Sequence, residues 1–154
     1  MQAAVQEALD QVIDRAKRDR PLLDGMLNNE DMAVLYNLAS GLYKSGQYQK
    51  SREIFQHLTL NKPLEPKNWQ GLAGALQMEK NYTDALKAWA LLAIMLEDDP
   101  LPHFHAADCL YMLGDTAQAS QALEAAEKLV NGAHQQLQEK ISALKTQWGQ
   151  DGSS

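Results

Sequence analysis

Residues of like kind recur along this chain at intervals of 34, and that period restricts the fold more than any other feature. Leu38, Leu72 and Ala106 keep the interval, as do Ala39, Ala73 and Ala107, and Leu42, Leu76 and Leu110. Ser51, Ala85 and Ala119 follow, then Phe55, Trp89 and Leu123. A repeat of this length is one supersecondary unit, two antiparallel helices, which cannot bury its apolar face alone. Stacked neighbours bury it, and three units are about the minimum for a continuous core.

In period and in the placing of small and aromatic residues, the pattern resembles the tetratricopeptide repeat. That resemblance implies an all-α fold, a right-handed superhelical array whose inner face holds a peptide. The reading is three helix pairs, at 32–65, 66–99 and 100–133. Residues 1–31 precede them as an amphipathic helix and linker. A C-terminal capping helix follows at 134–148, then a disordered tail at 149–154.

The local signals fit this division. Val5, Leu9, Val12, Ile13 and Ala16 recur at helical spacing, and Lys17, Arg18 and Arg20 then favour the negative end of the dipole before Pro21 stops the helix. Asn28 or Asn29 can cap the next helix. Gly46 and Gly114 suit left-handed turns inside the first and third repeats, with Lys80-Asn81 in that place in the second. Pro100 fits a first helical position, where its missing N–H costs little. Leu137, Ile141, Leu144 and Trp148 form one stripe, with polar residues elsewhere, as a capping helix requires.

Composition narrows the function. Against 14 Lys and Arg stand 20 Asp and Glu, a net charge of −6, so a phosphate backbone is an unfavourable partner and no nucleic acid is expected. Cys109 is the single cysteine, so no intrachain disulfide forms, in keeping with a reducing cytosol. No stretch reads as a signal peptide, and the longest apolar run, 88–96, is too short to span a bilayer. The expectation is a cytoplasmic protein without membrane insertion.

Catalysis has few residues to carry it. His105 and Cys109 share a helix face and would suit a base and a nucleophile, but a buried cysteine beside a groove histidine explains them as well. His103 and His105 point to different faces, so metal chelation is not expected. Gly71 and Gly74 lie inside a helix, where close packing accounts for them better than a phosphate loop. Asp98-Asp99 reads as a cap. The chain is read as a non-enzyme without cofactors.

The tetratricopeptide register places the concave face on the first helix of each pair. The candidate client-binding residues are Tyr36, Asn37, Ser40, Tyr43 and Lys44, with Tyr48 beside them. Lys67, Gln70, Gly74 and Gln77 come from the second repeat, and Phe104, His105, Asp108 and Tyr111 from the third. Aromatic rings give broad contacts at low entropy cost, and amides pair with an extended backbone. A carboxylate clamp for heat-shock tails would need cations at places that carry Tyr36, Ser40, Gly71, Leu101 and His105; only Lys44 remains.

Two strings are more specific. Leu35-Tyr36-Asn37-Leu38-Ala39 with Tyr43-Lys44-Ser45-Gly46-Gln47-Tyr48, and Phe104-His105-Ala106-Ala107-Asp108-Cys109-Leu110, resemble the class II chaperones of bacterial type III secretion, the LcrH/SycD family. The resemblance covers roughly residues 20–131. Ser51 departs from it, standing where alanine is usual. The resemblance implies a cytoplasmic chaperone that keeps hydrophobic, pore-forming translocators soluble and ready for secretion. It also implies that a Pro-x-Leu-x-x-Pro-like segment lies in the groove, against Tyr36, Tyr43 and Tyr48 on one side and Phe104, His105 and Tyr111 on the other. A homodimer is possible in such a family. The alternative is a tetratricopeptide adaptor for a folded partner or a transcriptional activator.

Overall fold

The computed structural model describes residues 27–152, and every regular element among them is helical. The N-terminal amphipathic helix read from the sequence lies outside the described residues. The elements are α1 (Asn29–Lys44), α2 (Tyr48–Asn61), α3 (Pro66–Met78), α4 (Tyr82–Met95), α5 (Pro100–Met112), α6 (Thr116–Leu129), a 3₁₀ turn (Gly132–His134) and α7 (Gln135–Gly152).

Each helix starts and stops where its residues dictate. Asn28, rather than Asn29, is the cap of α1: its Oδ1 accepts from the Asp31 N–H at 2.8 Å. Asp99 and Asp115 accept from Leu101 N–H at 2.9 Å and Gln118 N–H at 3.0 Å, opening α5 and α6. Three turns close alike, through backbone bonds from Gln47 to Leu42, Asn81 to Leu76 and Asp115 to Leu110. Gly46 and Gly114 are left-handed there, at φ +83° and +88°. In the second repeat the left-handed residue is Lys80, at φ 65°, and not Asn81. The closing bond fixes which residue must turn, and the asparagine stands one place too late.

Packing divides the chain into two compact units, meeting between Asn81 and Tyr82. The boundary falls inside the second sequence repeat: in the first unit α2 packs on α1 and on α3, and in the second α5 packs on α4 and on α6. In the first unit Leu35, Ala39, Leu42, Ile54, Phe55 and Leu58 are buried. Each large apolar side chain so buried contributes about 1.5–3 kcal/mol. Ser51 is fully buried beside Ala39, and its hydroxyl donates to the Ala39 carbonyl at 2.8 Å. That bond is what lets a polar atom replace the usual alanine.

In the second unit Ala107, Leu123, Ala126 and Ile141 form the core, with Leu137, Leu144 and Trp148 of α7 packed against it. The expected stripe on the last helix is therefore in place. The helix itself runs on to Gly152, so the first part of the tail expected at 149–154 is helical instead. Lys145 adds an ion pair to Glu127 at 2.7 Å, tying α7 to α6.

Candidate functional site

Within the first unit α1 and α3 lie alongside each other, and their facing residues meet in two clusters. In the first, the Lys67 ammonium stands 4.9 Å from the centre of the Tyr36 ring, near enough for cation–π attraction. Tyr36 in turn sets its edge on Phe55, at 5.8 Å and 75°. Phe55 is buried because Gly71 leaves it room: a Cβ on Gly71 would overlap the ring. Gly71 therefore serves helix packing, as its place inside a helix suggests.

The second cluster joins Tyr43 and Tyr48 edge to face, 5.3 Å apart, with Gly74 beneath. A Cβ on Gly74 would stand 3.6 Å from the Tyr43 ring, an ordinary contact. Burial, and then the neighbouring Tyr48, push the Tyr43 hydroxyl above its usual range, so it stays a neutral donor. Yet 36 % of Tyr43 remains exposed, an aromatic surface open to a partner. Ser40, Gln70 and Gln77 are half-buried, whereas Asn37 and Lys44 are exposed. The first unit thus brings Tyr36 to Lys67, and Tyr43 to Tyr48 and Gly74.

In the second unit the four candidates share α5 but are held more tightly. Phe104 packs on the core of Ala107, Leu123, Ala126 and Ile141, and meets His105 at 5.4 Å. His105 lies flat on Trp89. Burial first, and Lys140 second, push its imidazole down to about 4 against the opposing pull of Asp99, so the ring is neutral near pH 7. Tyr111 stacks on Trp148 of α7, 4.6 Å apart and 5° from parallel. Asp108 is half-buried. Part of the surface of Phe104 and Tyr111 is therefore spent on contacts within the protein.

Sequence reasoning did not give Trp89 and Trp148 a place beside the candidates. The signal was available for Trp89, which repeats Phe55 after 34 residues just as His105 repeats Gly71. Phe55 against Gly71 and Trp89 against His105 are one contact made twice.

The Cys–His alternative fails on burial. Cys109 is fully buried, and burial, with Asp108 next, pushes its thiol up to about 12, so the thiolate is inaccessible near neutral pH. Among the described residues no three His, Cys, Asp or Glu gather as a metal would need, and no helix is long and apolar enough to cross a membrane.

The tetratricopeptide repeat model matches residues 32–61 and 66–99. The low calcium response locus protein H of Yersinia pestis is 31% identical over 104 residues, 68% of this chain and 62% of the relative. Two of the similar solved structures, both complexes, serve as examples. SycD of Yersinia enterocolitica, a type III secretion chaperone bound to a peptide of the translocator YopD, gives a TM-score of 0.73 at 28% identity, covering 77% of this chain and 92% of SycD. PcrH of Pseudomonas aeruginosa, bound to the chaperone binding region of PopD, gives 0.73 at 28% identity, covering 77% and 91%. This chain is homologous to these type III secretion chaperones. It spans 62% of the length of the curated Yersinia relative. The aromatic clusters of α1–α3 lie within the residues that the repeat model matches.

Proposed function

We propose that this protein is a cytoplasmic chaperone of hydrophobic type III translocators, binding one extended proline-bearing segment without turnover. The observation that carries the reading is the paired Tyr36–Lys67 and Tyr43–Tyr48 surface in a homologue of chaperones solved with translocator segments. A proline-rich segment loses little entropy on docking, and half-exposed tyrosine rings suit proline and leucine side chains. Tyr36, Tyr43 and Tyr48 are the anchors. Asn37, Ser40, Lys44, Lys67, Gln70, Gly74 and Gln77 line the same client, the amides pairing with its backbone. From α5, Phe104, His105, Asp108 and Tyr111 contribute what their internal contacts leave free. A neutral His105 offers the client a polar edge without a charge.

Co-expression tests the reading. A hydrophobic translocator from the same host becomes soluble only when this chain is produced with it. A translocator that stays insoluble, or dissolves equally well alone, contradicts the proposal and leaves the adaptor reading in its place.

A further inference from the structure

The last helix covers a ring that the repeat register places among the candidate client-binding residues. Tyr43, Gln77 and Tyr111 stand 34 residues apart, at one position of α1, α3 and α5. Tyr43 is exposed there, whereas Tyr111 is half-buried, with Trp148 of α7 lying on its face, 4.6 Å away and 5° from parallel. Met112 and Leu113, which follow Tyr111, are exposed apolar residues. The stack therefore closes one ring at the edge of an apolar surface that is otherwise open.

The body of α7 does not need this stack to stay in place. Ile141 is fully buried, and Leu137 and Leu144 pack with it on the core of Ala107, Leu123 and Ala126. Beyond Leu144 the hold thins. Lys145, Thr146, Gln147 and Gly149 are exposed, and Trp148 alone among these residues packs on that core. The ion pair of Lys145 with Glu127 joins side chains that are more than a third exposed, and such pairs add little. The end of α7 is thus secured chiefly by one aromatic ring. On the reading that a proline-bearing client lies on the tyrosines, we infer that Trp148 is a built-in competitor for that client on α5. The flat face that takes the indole suits a proline ring or a leucine side chain equally, and only one of them can occupy it. Client binding lifts Trp148 off Tyr111 and leaves Leu137, Ile141 and Leu144 seated. The tryptophan shields the tyrosine while no client is present, and the apparent affinity falls by the share of chains whose stack is closed.

Calorimetric titration of the full chain with one Pro-x-Leu-x-x-Pro peptide from a translocator tests this. Trp148→Ala is expected to tighten binding about two- to tenfold, the range set by one stacked aromatic pair. In that background Tyr111→Ala is expected to remove the gain. Unchanged or weaker binding by Trp148→Ala overturns the inference, since the indole is then a strut of the fold or part of the client's wall. No loss on adding Tyr111→Ala overturns it as well. The variant Tyr36→Ala with Tyr43→Ala separates the two levels. If it binds as the parent does, the reading beneath fails; if it binds weakly and Trp148→Ala does not tighten binding, the inference fails alone. A measurement on the unaltered chain is independent of how the variants fold. Nuclear Overhauser contacts between the Tyr111 and Trp148 rings are expected in the free protein and are lost when the peptide saturates it. Contacts that persist in the complex overturn the inference.

Discussion

Trp89 lies flat against His105, with ring centroids 4.3 Å apart and planes 20° from parallel. The stack, with Phe104 on another side, removes water from the imidazole, and the neutral ring is the form this site favours. Its folded pKa, about 4, is below the ordinary 6.5. The unfolded chain therefore binds the proton more readily in that window. The stability this site contributes is complete above about pH 6.5 and is lost as pH falls towards 4. In His105→Phe, which keeps a ring on Trp89, the fall in Tm between pH 6.5 and 4 is expected to be shallower than in the parent. Parallel melts across that range check it; identical slopes would remove His105 as the cause.

Two glycines three residues apart on α3 should respond oppositely to alanine. A Cβ on Gly71 overlaps the Phe55 ring, which is pinned by Tyr36 and cannot swing away at low cost. Gly71→Ala is expected to destabilise by about 1–3 kcal/mol, as overpacking does. Gly74→Ala meets Tyr43 at ordinary contact distance and gains helix propensity, so it is neutral or stabilising by up to about 1 kcal/mol. Urea unfolding of the two variants decides this.

Lys80 holds a left-handed conformation that its β-carbon disfavours by about 1–2 kcal/mol. Lys80→Gly restores the residue found at Gly46 and Gly114 and is expected to stabilise by about 1 kcal/mol, less what glycine adds to unfolded-state entropy. Denaturant midpoints measure the difference. A loss of stability would mean that the lysine side chain matters more than its backbone.

Ser51 should tolerate shrinkage but not growth. Ser51→Ala removes one hydrogen bond to the Ala39 carbonyl and is expected to cost about 0.5–1.5 kcal/mol. Ser51→Leu must fit a larger side chain against fully buried Ala39 and is expected to cost more, about 1–3 kcal/mol. Equal costs would show that the site can relax around the larger side chain.

The helices were legible because the period repeats what packing repeats: Ala39 and Ala73 are fully buried at the same place in successive repeats, as are Ser51, Ala85 and Ala119. The choice of Lys80 over Asn81 was not legible from residue preference, since a backbone bond selects the turning residue regardless of its type. At the candidate site, the register named the tyrosines of α1 together with Tyr48, Lys67 and Gly74, but not Phe55, on which Tyr36 rests. Whether Tyr111 faces a client or Trp148 depends on where α7 carries Trp148, a contact between residues far apart in sequence. The split at Asn81 was hidden for a similar reason, because a sequence repeat ends where its pattern ends and a packing unit ends where contacts thin.

The central claim is that the tyrosines of α1 anchor an extended proline-bearing segment, and calorimetric titration with a Pro-x-Leu-x-x-Pro peptide from a translocator tests it most directly. Tyr36→Ala with Tyr43→Ala is expected to weaken binding by about 2 kcal/mol or more, roughly thirtyfold, as buried aromatic anchors do. Unchanged affinity in a double variant that remains folded by circular dichroism would contradict the account and place the client elsewhere.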